Sequence, residues 1–391
     1  MTAEINLREI IFGLLGGLAI FIYGMNLMGD GLQKTAGERM RRILEILTGN
    51  PVIGILVGTL VTMLVQSSSA TTVMVIGFVS ARLMTLTQAI GVIMGANIGT
   101  TFTAQLIAFK IGNYAYIIAA IGFIPYFFFK KRMFKHIGQS IFAFGLLFIG
   151  LNIMGDVMKP LAQSPVFMNL ILKLGEHPVL GVLVGTISTV LIQSSSAVIA
   201  VLQNLASQPM PDRIHALVNL ETAIPVLFGS NIGTTITAIL ASIGAKVNAK
   251  RAALAHSIFN IFGTLVFIWF VPLFAGFIKL ISPKGDEVAV ISRQIANAHT
   301  FFNVFNTIVW LPFIWLLTKL VTFFVRGEDD CIEKRVLFLD YRVLSNPIIS
   351  MNLATKELTR MAKIARQMMT RARLAFVMSN MEEANKVYEI E

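Results

Sequence analysis

Two charge-free stretches constrain this chain more than any other feature. Residues 46–81 and 177–211 run for 36 and 35 positions without Asp, Glu, Lys or Arg, apart from Glu176 just outside the second. A helix needs only about 20 residues to cross about 30 Å of hydrocarbon. Each stretch carries a polar cluster in its middle, Gln66-Ser67-Ser68-Ser69 and Gln193-Ser194-Ser195-Ser196. The arm before the first cluster, 53–65, reaches only about 20 Å as a helix, enough for the midplane and too short to span. Broken backbone at that depth is tolerated where it lines a polar cavity inside protein. Both stretches therefore read as re-entrant hairpins, 52–81 and 178–207, with the polar cluster at the tip.

Seven further charge-free stretches suit single crossings: 10–29, 83–109, 111–129, 136–155, 222–245, 252–278 and 294–318. The first lacks the basic flank of a signal peptide and reads as a retained helix. Of the 391 residues, 55% are apolar and 14% charged, where a soluble domain carries about 25% charged. The expected fold class is an all-α polytopic membrane protein, which argues against a solvated globular enzyme. Residues 1–325 hold 21 Lys+Arg against 11 Asp+Glu, and 326–391 hold 11 against 10. On so apolar a chain that surplus is an orientation signal, and no nucleic-acid partner is expected. The single Cys331 excludes a disulfide framework and a cysteine metal site.

The hairpins belong to a duplication. Asn26-Leu27-Met28-Gly29-Asp30 matches Asn152-Ile153-Met154-Gly155-Asp156, offset by 126. Val57-Gly58-Thr59 through Ser69-Ala70 matches Val184-Gly185-Thr186 through Ser196-Ala197, offset by 127. Gly95-Ala96-Asn97-Ile98-Gly99-Thr100-Thr101 matches Gly229-Ser230-Asn231-Ile232-Gly233-Thr234-Thr235, offset by 134. Three single crossings separate the hairpins, so their tips enter from opposite faces, the inverted repeat of secondary transporters. The units expected are a first repeat over 1–159, a second repeat with scaffold helices over 160–325, and a cytoplasmic helical tail over 326–391. With that count, 12 Lys+Arg fall on one face and eight on the other. The richer face, with the C-terminus, is expected in the cytoplasm, and the N-terminus outside.

A Gln-Ser-Ser-Ser tip offers hydroxyls, an amide, and backbone N–H groups at the start of the hairpin's second helix. Those N–H groups and the helix dipole form an anion site without a cationic side chain. Carbonyls ending the first arm, with hydroxyls, are ligands for Na⁺. The Asn97 and Asn231 segments are expected to be Gly-broken helices adding amides and hydroxyls, and two opposed tips would form one compact midplane site. No Lys or Arg lies in either long stretch, so a bound anion has to be neutralised by helix termini and co-bound cations. Close helix packing by Ser, Thr and Gly is the competing explanation of such clusters; their duplication inside over-long stretches favours the site.

These paired motifs resemble the type II sodium-dependent phosphate cotransporter family over 13–324. The resemblance implies symport of inorganic phosphate with Na⁺ as coupling ion, no cofactor, and a homodimer in the cell membrane in contact with lipid. It implies that Gln66, Ser67, Ser68, Ser69, Gln193, Ser194, Ser195 and Ser196 line the phosphate and sodium sites. Asn97, Thr100, Thr101, Asn231, Thr234 and Thr235 would surround them. The first repeat departs from the pattern by reading Ala96 where the second has Ser230. The residues alone point to an anion transporter; phosphate comes from the resemblance. A transporter of another oxyanion or small dicarboxylate, and a non-transporting phosphate receptor signalling through the tail, are the alternatives.

Asp30 and Asp156 read as helix-end caps, and Glu221 as a structural carboxylate at a helix start. Ala255-His256 through Asn260 is similar to Ala298-His299 through Asn303; His and Asn at i, i+4 share one helix face and are expected to bond between helices. Neither hairpin contains a His beside its serine cluster, which argues against a serine hydrolase. Residues 34–47 read as an interfacial helix. Beyond Phe324, Glu328-Asp329-Asp330 reads as a linker and Asn346-Pro347 as the start of a long helix. Met351, Ala354, Leu358, Met361, Ala365, Met368, Ala372 and Ala375 then form a helical seam. Leu339-Asp340-Tyr341-Arg342 and the helical pattern after it resemble the opening of a PhoU-like helical domain, so the tail is expected to be truncated or to dock on a partner.

Overall fold

The computed structural model describes residues 7–45, 50–80, 84–109, 111–327, 336, 338–339 and 347–377. Fifteen α-helices follow one another in these segments. They are α1 (Leu7–Glu45), α2 (Pro51–Val65), α3 (Ser68–Ser80), α4 (Leu86–Ile107), α5 (Ala115–Phe128), α6 (Arg132–Ala162), α7 (Pro165–Glu176), α8 (Pro178–Ile192), α9 (Ser195–Ala206), α10 (Leu220–Ser242), α11 (Val247–Phe267), α12 (Val271–Ile281), α13 (Glu287–Trp310), α14 (Ile314–Phe324) and α15 (Pro347–Val377). Among the described residues, six helical stretches are long and apolar enough to cross a membrane. The protein is an all-α polytopic membrane protein.

Both over-long stretches are hairpins, α2–α3 and α8–α9. Each first arm opens on a proline in its first turn, Pro51 or Pro178, where the missing N–H costs nothing. Asn50 caps α2 by accepting from Val52 N. The mouths of the hairpins lie at opposite ends of α4. The first ends at Ser80, just before the Thr85 cap that starts α4. Near the end of the second, Gln203 Nε2 donates to the carbonyls of Ala104, at the far end of α4, and Ser292, near the start of α13. At 22 residues, α4 is about 33 Å long, so the hairpins enter from opposite faces. On the face of the first hairpin, Arg251 at the start of α11 donates to the carbonyls of Val325 and Gly327 beyond α14. The repeats also interlock: α3 packs on α10 and α11, while α9 packs on α4 and α13.

Two expectations are revised. The Gly-containing segments of α4 and α10 are not breaks, since both helices run through without interruption. Their glycines serve backbone contact. A Cβ on Gly95 would lie 2.0 Å from Ile55 O, and one on Gly229 2.0 Å from Val182 O. Facing them, Gly58 and Gly185 meet the carbonyls of Val92 and Val226 as closely. Two small-residue stripes thus seat each first arm against its long helix, as in membrane helix pairs, and Thr59 and Thr186 donate across the seams to Gly95 O and Gly229 O at 3.1 Å. The second revision concerns 34–47. No separate interfacial helix begins there, because α1 continues to Glu45; residues 46–49 lie outside the described ones. The stretches 252–278 and 294–318 each fall within one candidate span, Val247–Ile281 and Glu287–Phe324, interrupted by a 3₁₀ turn, Ile268–Phe270 just before Pro272 and Leu311–Phe313 containing Pro312, where the proline rings break the hydrogen-bond ladder.

A surface helix not anticipated, α7, meets α8 at 107°. The apolar interior is richest where the Phe228 ring of α10 packs on Phe302 of α13, centroids 4.6 Å apart, with Phe267 and Phe274 alongside. In the tail, α15 starts at Pro347 as expected. Its seam positions Met351, Leu358 and Met361 are exposed, while Leu353 is buried. The buried Glu357 accepts from Phe338 N and pairs with Arg360. Asp340, Tyr341 and Arg342 of the PhoU-like resemblance, and the linker residues 328–330, lie outside the described residues.

Adding one methyl at a seam should unseat a hairpin arm, because the obstructing atom is backbone. Gly95→Ala and Gly229→Ala are each expected to destabilise by about 2 kcal/mol or more, read as a lowered melting temperature in detergent. Gly16→Ala and Gly276→Ala, with nothing within 4 Å of the added carbon, should leave it unchanged.

Candidate functional site

Both hairpins turn on the glutamine of the cluster. Gln66 has φ 59°, ψ 22° and Gln193 φ 60°, ψ 19°, the left-handed region that costs a residue with a Cβ about 1–2 kcal/mol. The amide group offsets that strain. The backbone N–H of Gln66 donates to Thr62 O at 2.7 Å and its Nε2 to Met63 O at 2.5 Å. Its Oε1 accepts from Thr103 Oγ1 at 2.8 Å. Gln193 repeats the set with Thr189 O, Val190 O and Thr237 Oγ1. One residue thus caps two of the first arm's loose carbonyls, through its backbone N–H and its side-chain amide, and pins the tip to the long helix. Thr103 and Thr237 were not among the expected site residues. Their signal is the repeat itself, which extends through Gly99-Thr100-Thr101-Phe102-Thr103-Ala104 and Gly233-Thr234-Thr235-Ile236-Thr237-Ala238.

The serines divide into two roles. Ser67 and Ser194 precede the second arms, where Ser67 Oγ accepts from Ala70 N at 3.1 Å and Ser194 Oγ from Ala197 N at 3.2 Å; these are N-caps. The hydroxyls of Ser68, Ser69, Ser195 and Ser196 take no hydrogen bond among the described residues. They sit in the first turns of α3 and α9, beside N–H groups that point out of the helix start. Ser68, Ser195 and Ser196 are buried. Thr62 Oγ1 ties the arms of the first hairpin by donating to Thr71 Oγ1; the second hairpin has Val198 there, and Thr189 Oγ1 has no partner among the described residues.

On the long helices, Thr100, Thr101, Thr234 and Thr235 donate to carbonyls of their own helices, which keeps their oxygen lone pairs free. Ser230, the residue lacking in the first repeat, is fully buried and donates to Leu227 O, so its hydroxyl stays within its own helix. Asn97 and Asn231 point sideways to the buried histidines. His256 Nε2 meets Asn97 Oδ1 at 3.3 Å and His299 Nε2 meets Asn231 Oδ1 at 3.2 Å. The orientation is set by the network: Asn303 Nδ2 donates to His299 O, so its Oδ1 accepts from Asn231 Nδ2 at 3.1 Å. These are the interhelical bonds expected of the paired His and Asn. In the first repeat the matching pair, Asn97 Nδ2 and Asn260 Oδ1, have no partner among the described residues. Asp30 and Asp156 form exposed pairs with Lys34 and Lys159, and Glu221 with Lys279.

A cavity of about 430 Å³ lies away from the hairpin tips, where the α9–α10 loop meets α7 and α13, and its walls include Glu176, His215, Glu221 and Glu287. In that loop Asp212 Oδ2 and His215 Nδ1 are 2.6 Å apart. The contact lowers Asp212 from 3.8 to about 2, chiefly through the His215 bond, and raises His215 above 6.5 through the Asp212 bond.

An all-α membrane chain with two opposed hairpins, each offering unpaired hydroxyls at a helix start, defines the class. The chain belongs to the Na⁺/Pi-cotransporter family, whose family model matches residues 20–156 and 154–278. It is 30% identical over 266 residues to the uncharacterized protein YqeW of Bacillus subtilis, covering 68% of this chain and 84% of that one. To the protein named "Putative inorganic phosphate export protein YjbB" of Salmonella typhimurium it is 25% identical over 357 residues, 91% of this chain and 63% of that one. To human sodium-dependent phosphate transport protein 2B it is 39% identical over 97 residues, 24% of this chain and 14% of that one. No solved structure matches the chain.

The two threonine pins differ in surroundings, because Gln66 is buried and Gln193 exposed. Thr103→Val should cost about 1–3 kcal/mol, since a buried carbonyl oxygen loses its donor. Thr237→Val should cost far less, because water replaces the hydroxyl. Denaturation of both variants in detergent reads the difference. For the loop pair, the His215 part is fully present below 6.5 and lost as pH rises through its raised pKa; the Asp212 part is fully present above 3.8 and lost as pH falls through about 2. Asp212→Asn should return the His215 pKa toward 6.5, followed by ring-proton NMR.

Proposed function

We propose that this protein is a sodium-coupled symporter of inorganic phosphate working by alternating access. The observation that carries the reading is the duplicated tip: four serine hydroxyls without a hydrogen bond among the described residues, at two helix starts, in hairpins without Lys or Arg. Helix N-termini favour an anion, and hydroxyl and carbonyl oxygens favour Na⁺. Ser68, Ser69, Ser195 and Ser196 are assigned to phosphate and sodium directly. Thr100, Thr101, Thr234 and Thr235 offer lone pairs to sodium. Gln66, Gln193, Ser67 and Ser194 shape the tips, and Asn97 and Asn231 hold the long helices.

Sodium bound between tip and long helix reduces the cost of bringing in the anion, and the anion does the same for sodium, so each raises the other's affinity. Access alternates as the hairpin-bearing unit moves against a scaffold containing the stretches 252–278 and 294–318. The setting is a homodimer in the cell membrane, in contact with lipid, with the 326–391 tail in the cytoplasm and no chemical reaction catalysed. The name of the Salmonella relative specifies export; a coupled cycle runs in whichever direction the summed gradients drive it.

Purified protein in liposomes should accumulate radiolabelled phosphate under an inward Na⁺ gradient and not under an equal K⁺ gradient. Ser68→Ala and Ser195→Ala should each lower that uptake at least about tenfold, the loss expected from one hydrogen bond to a charged ligand, with melting temperature unchanged. Sodium-driven uptake that unlabelled phosphate fails to compete would point to another oxyanion or a dicarboxylate. Sodium-dependent binding without flux would point to a receptor.

A further inference from the structure

Resting on the transport reading above, we infer that Arg293 is the anion-selecting residue of the access path on the face where the second hairpin opens. It stands where α4, α9 and α13 converge. Its neighbour Ser292 accepts from Gln203 through both its carbonyl and its hydroxyl. Gln203 lies seven residues beyond Ser196, and Gln105 four beyond Thr101, so the cluster sits about 6–11 Å along the helices from the hairpin tip.

The guanidinium donates from one terminal nitrogen to Gln105 Oε1 at 2.8 Å and to Gln105 O at 3.4 Å. It lies over the Phe109 ring, 4.3 Å from its centre. Gln105 is held for this role: its Nε2 donates to Asn297 Oδ1 and Thr300 Oγ1, at 3.2 and 2.9 Å, which turns its Oε1 to the arginine. No carboxylate among the described residues pairs with Arg293, and its Nε and second terminal nitrogen have no partner there. That free edge is the one that grips an oxyanion with two parallel bonds. A half-buried charge in a membrane span without a counter-ion is costly, and an anion passing on its way to the tips supplies what is missing.

The repeat shows that the fold does not need this cluster. By the same offsets, and by the 43-residue offset between His256 and His299, Gln105 corresponds to Ile239, Gln203 to Ile76 and Asn297 to Leu254. Arg293 corresponds to Lys250, which is exposed. Among the described residues, the Gln105–Gln203–Asn297 cluster thus has apolar counterparts in the other repeat.

The test compares phosphate KM at saturating Na⁺ in right-side-out and inside-out vesicles. Arg293→Gln should raise KM by about tenfold or more, the fold-change of a lost charge-assisted bond, when phosphate is offered to one face only. KM from the other face and sodium activation should stay within about twofold. Arg293→Lys, which keeps the charge and loses the fork, should rise about threefold. If the glutamine variant fails to reach the membrane, the lysine variant carries the test by the same one-face criterion. An unchanged KM, or an equal rise from both faces, overturns the assignment while leaving the transport reading intact. Wild-type vesicles that carry no phosphate overturn the transport reading and this assignment together.

Discussion

The contact on which the rest of the architecture depends is backbone against backbone, between each hairpin's first arm and the long helix of its repeat. An arm of 15 residues cannot cross a bilayer, so it needs a partner that covers its carbonyls and fixes its depth. Gly58 against Val92 and Gly95 against Ile55 do this in one repeat, Gly185 against Val226 and Gly229 against Val182 in the other. Because the helices nearly touch, van der Waals contact and threonine-to-carbonyl bonds replace the hydrophobic effect that lipid cannot provide. The depth of the tip is then set by the length of the seam.

Given that depth, the tip chemistry is a matter of which polar groups are already used. The glutamines are consumed in making the turn possible, and the first serine of each cluster in starting the next helix. What is left over is the second and third serine, in the first turn of a helix whose N–H groups have no internal partner. A tip built this way attracts an anion through dipoles alone. It holds that anion in a low-dielectric setting only when cations share the charge. Sodium coupling in the proposed cycle is thus a consequence of having no arginine or lysine at the tip, and the family's sodium–phosphate pairing agrees with it.

The hairpins and the duplication were legible in the sequence because charge exclusion and repeat spacing act directly on residue type. The roles within Gln-Ser-Ser-Ser were not, since telling a cap from a free hydroxyl needs the left-handed geometry of Gln66 and Gln193. The Asn-Ile-Gly-Thr-Thr segments misled for a physical reason: glycine is the residue both of broken helices and of close helix contact, and only the facing Gly58 and Gly185 decide between them. Likewise a charged run such as 34–45 extends a helix out of the membrane as readily as it starts a new one. Thr103 and Thr237 were visible in the repeat, but nothing in residue type said that a glutamine two helices away required them.

The two halves are alike where they build and unlike where they meet the outside. Identical inverted repeats would give the two access states equal energies and equal surfaces, and gradients alone would set every preference. This chain departs from that limit in specific places. Asn231 and Asn303 close their hydrogen bond while Asn97 and Asn260 leave theirs open, so the interface between long helix and scaffold is satisfied in one half and unsatisfied in the other. Gln105, Gln203 and Asn297 cluster at one end, whereas the corresponding positions of the other repeat are Ile239, Ile76 and Leu254. A buried donor and acceptor left unpaired favour whatever rearrangement pairs them, and a polar end admits water and anions that an apolar end excludes. In the proposed cycle the differences between the repeats therefore bias which state is occupied and which ions reach it, while the shared glycine seams and glutamine turns keep the tips themselves in register.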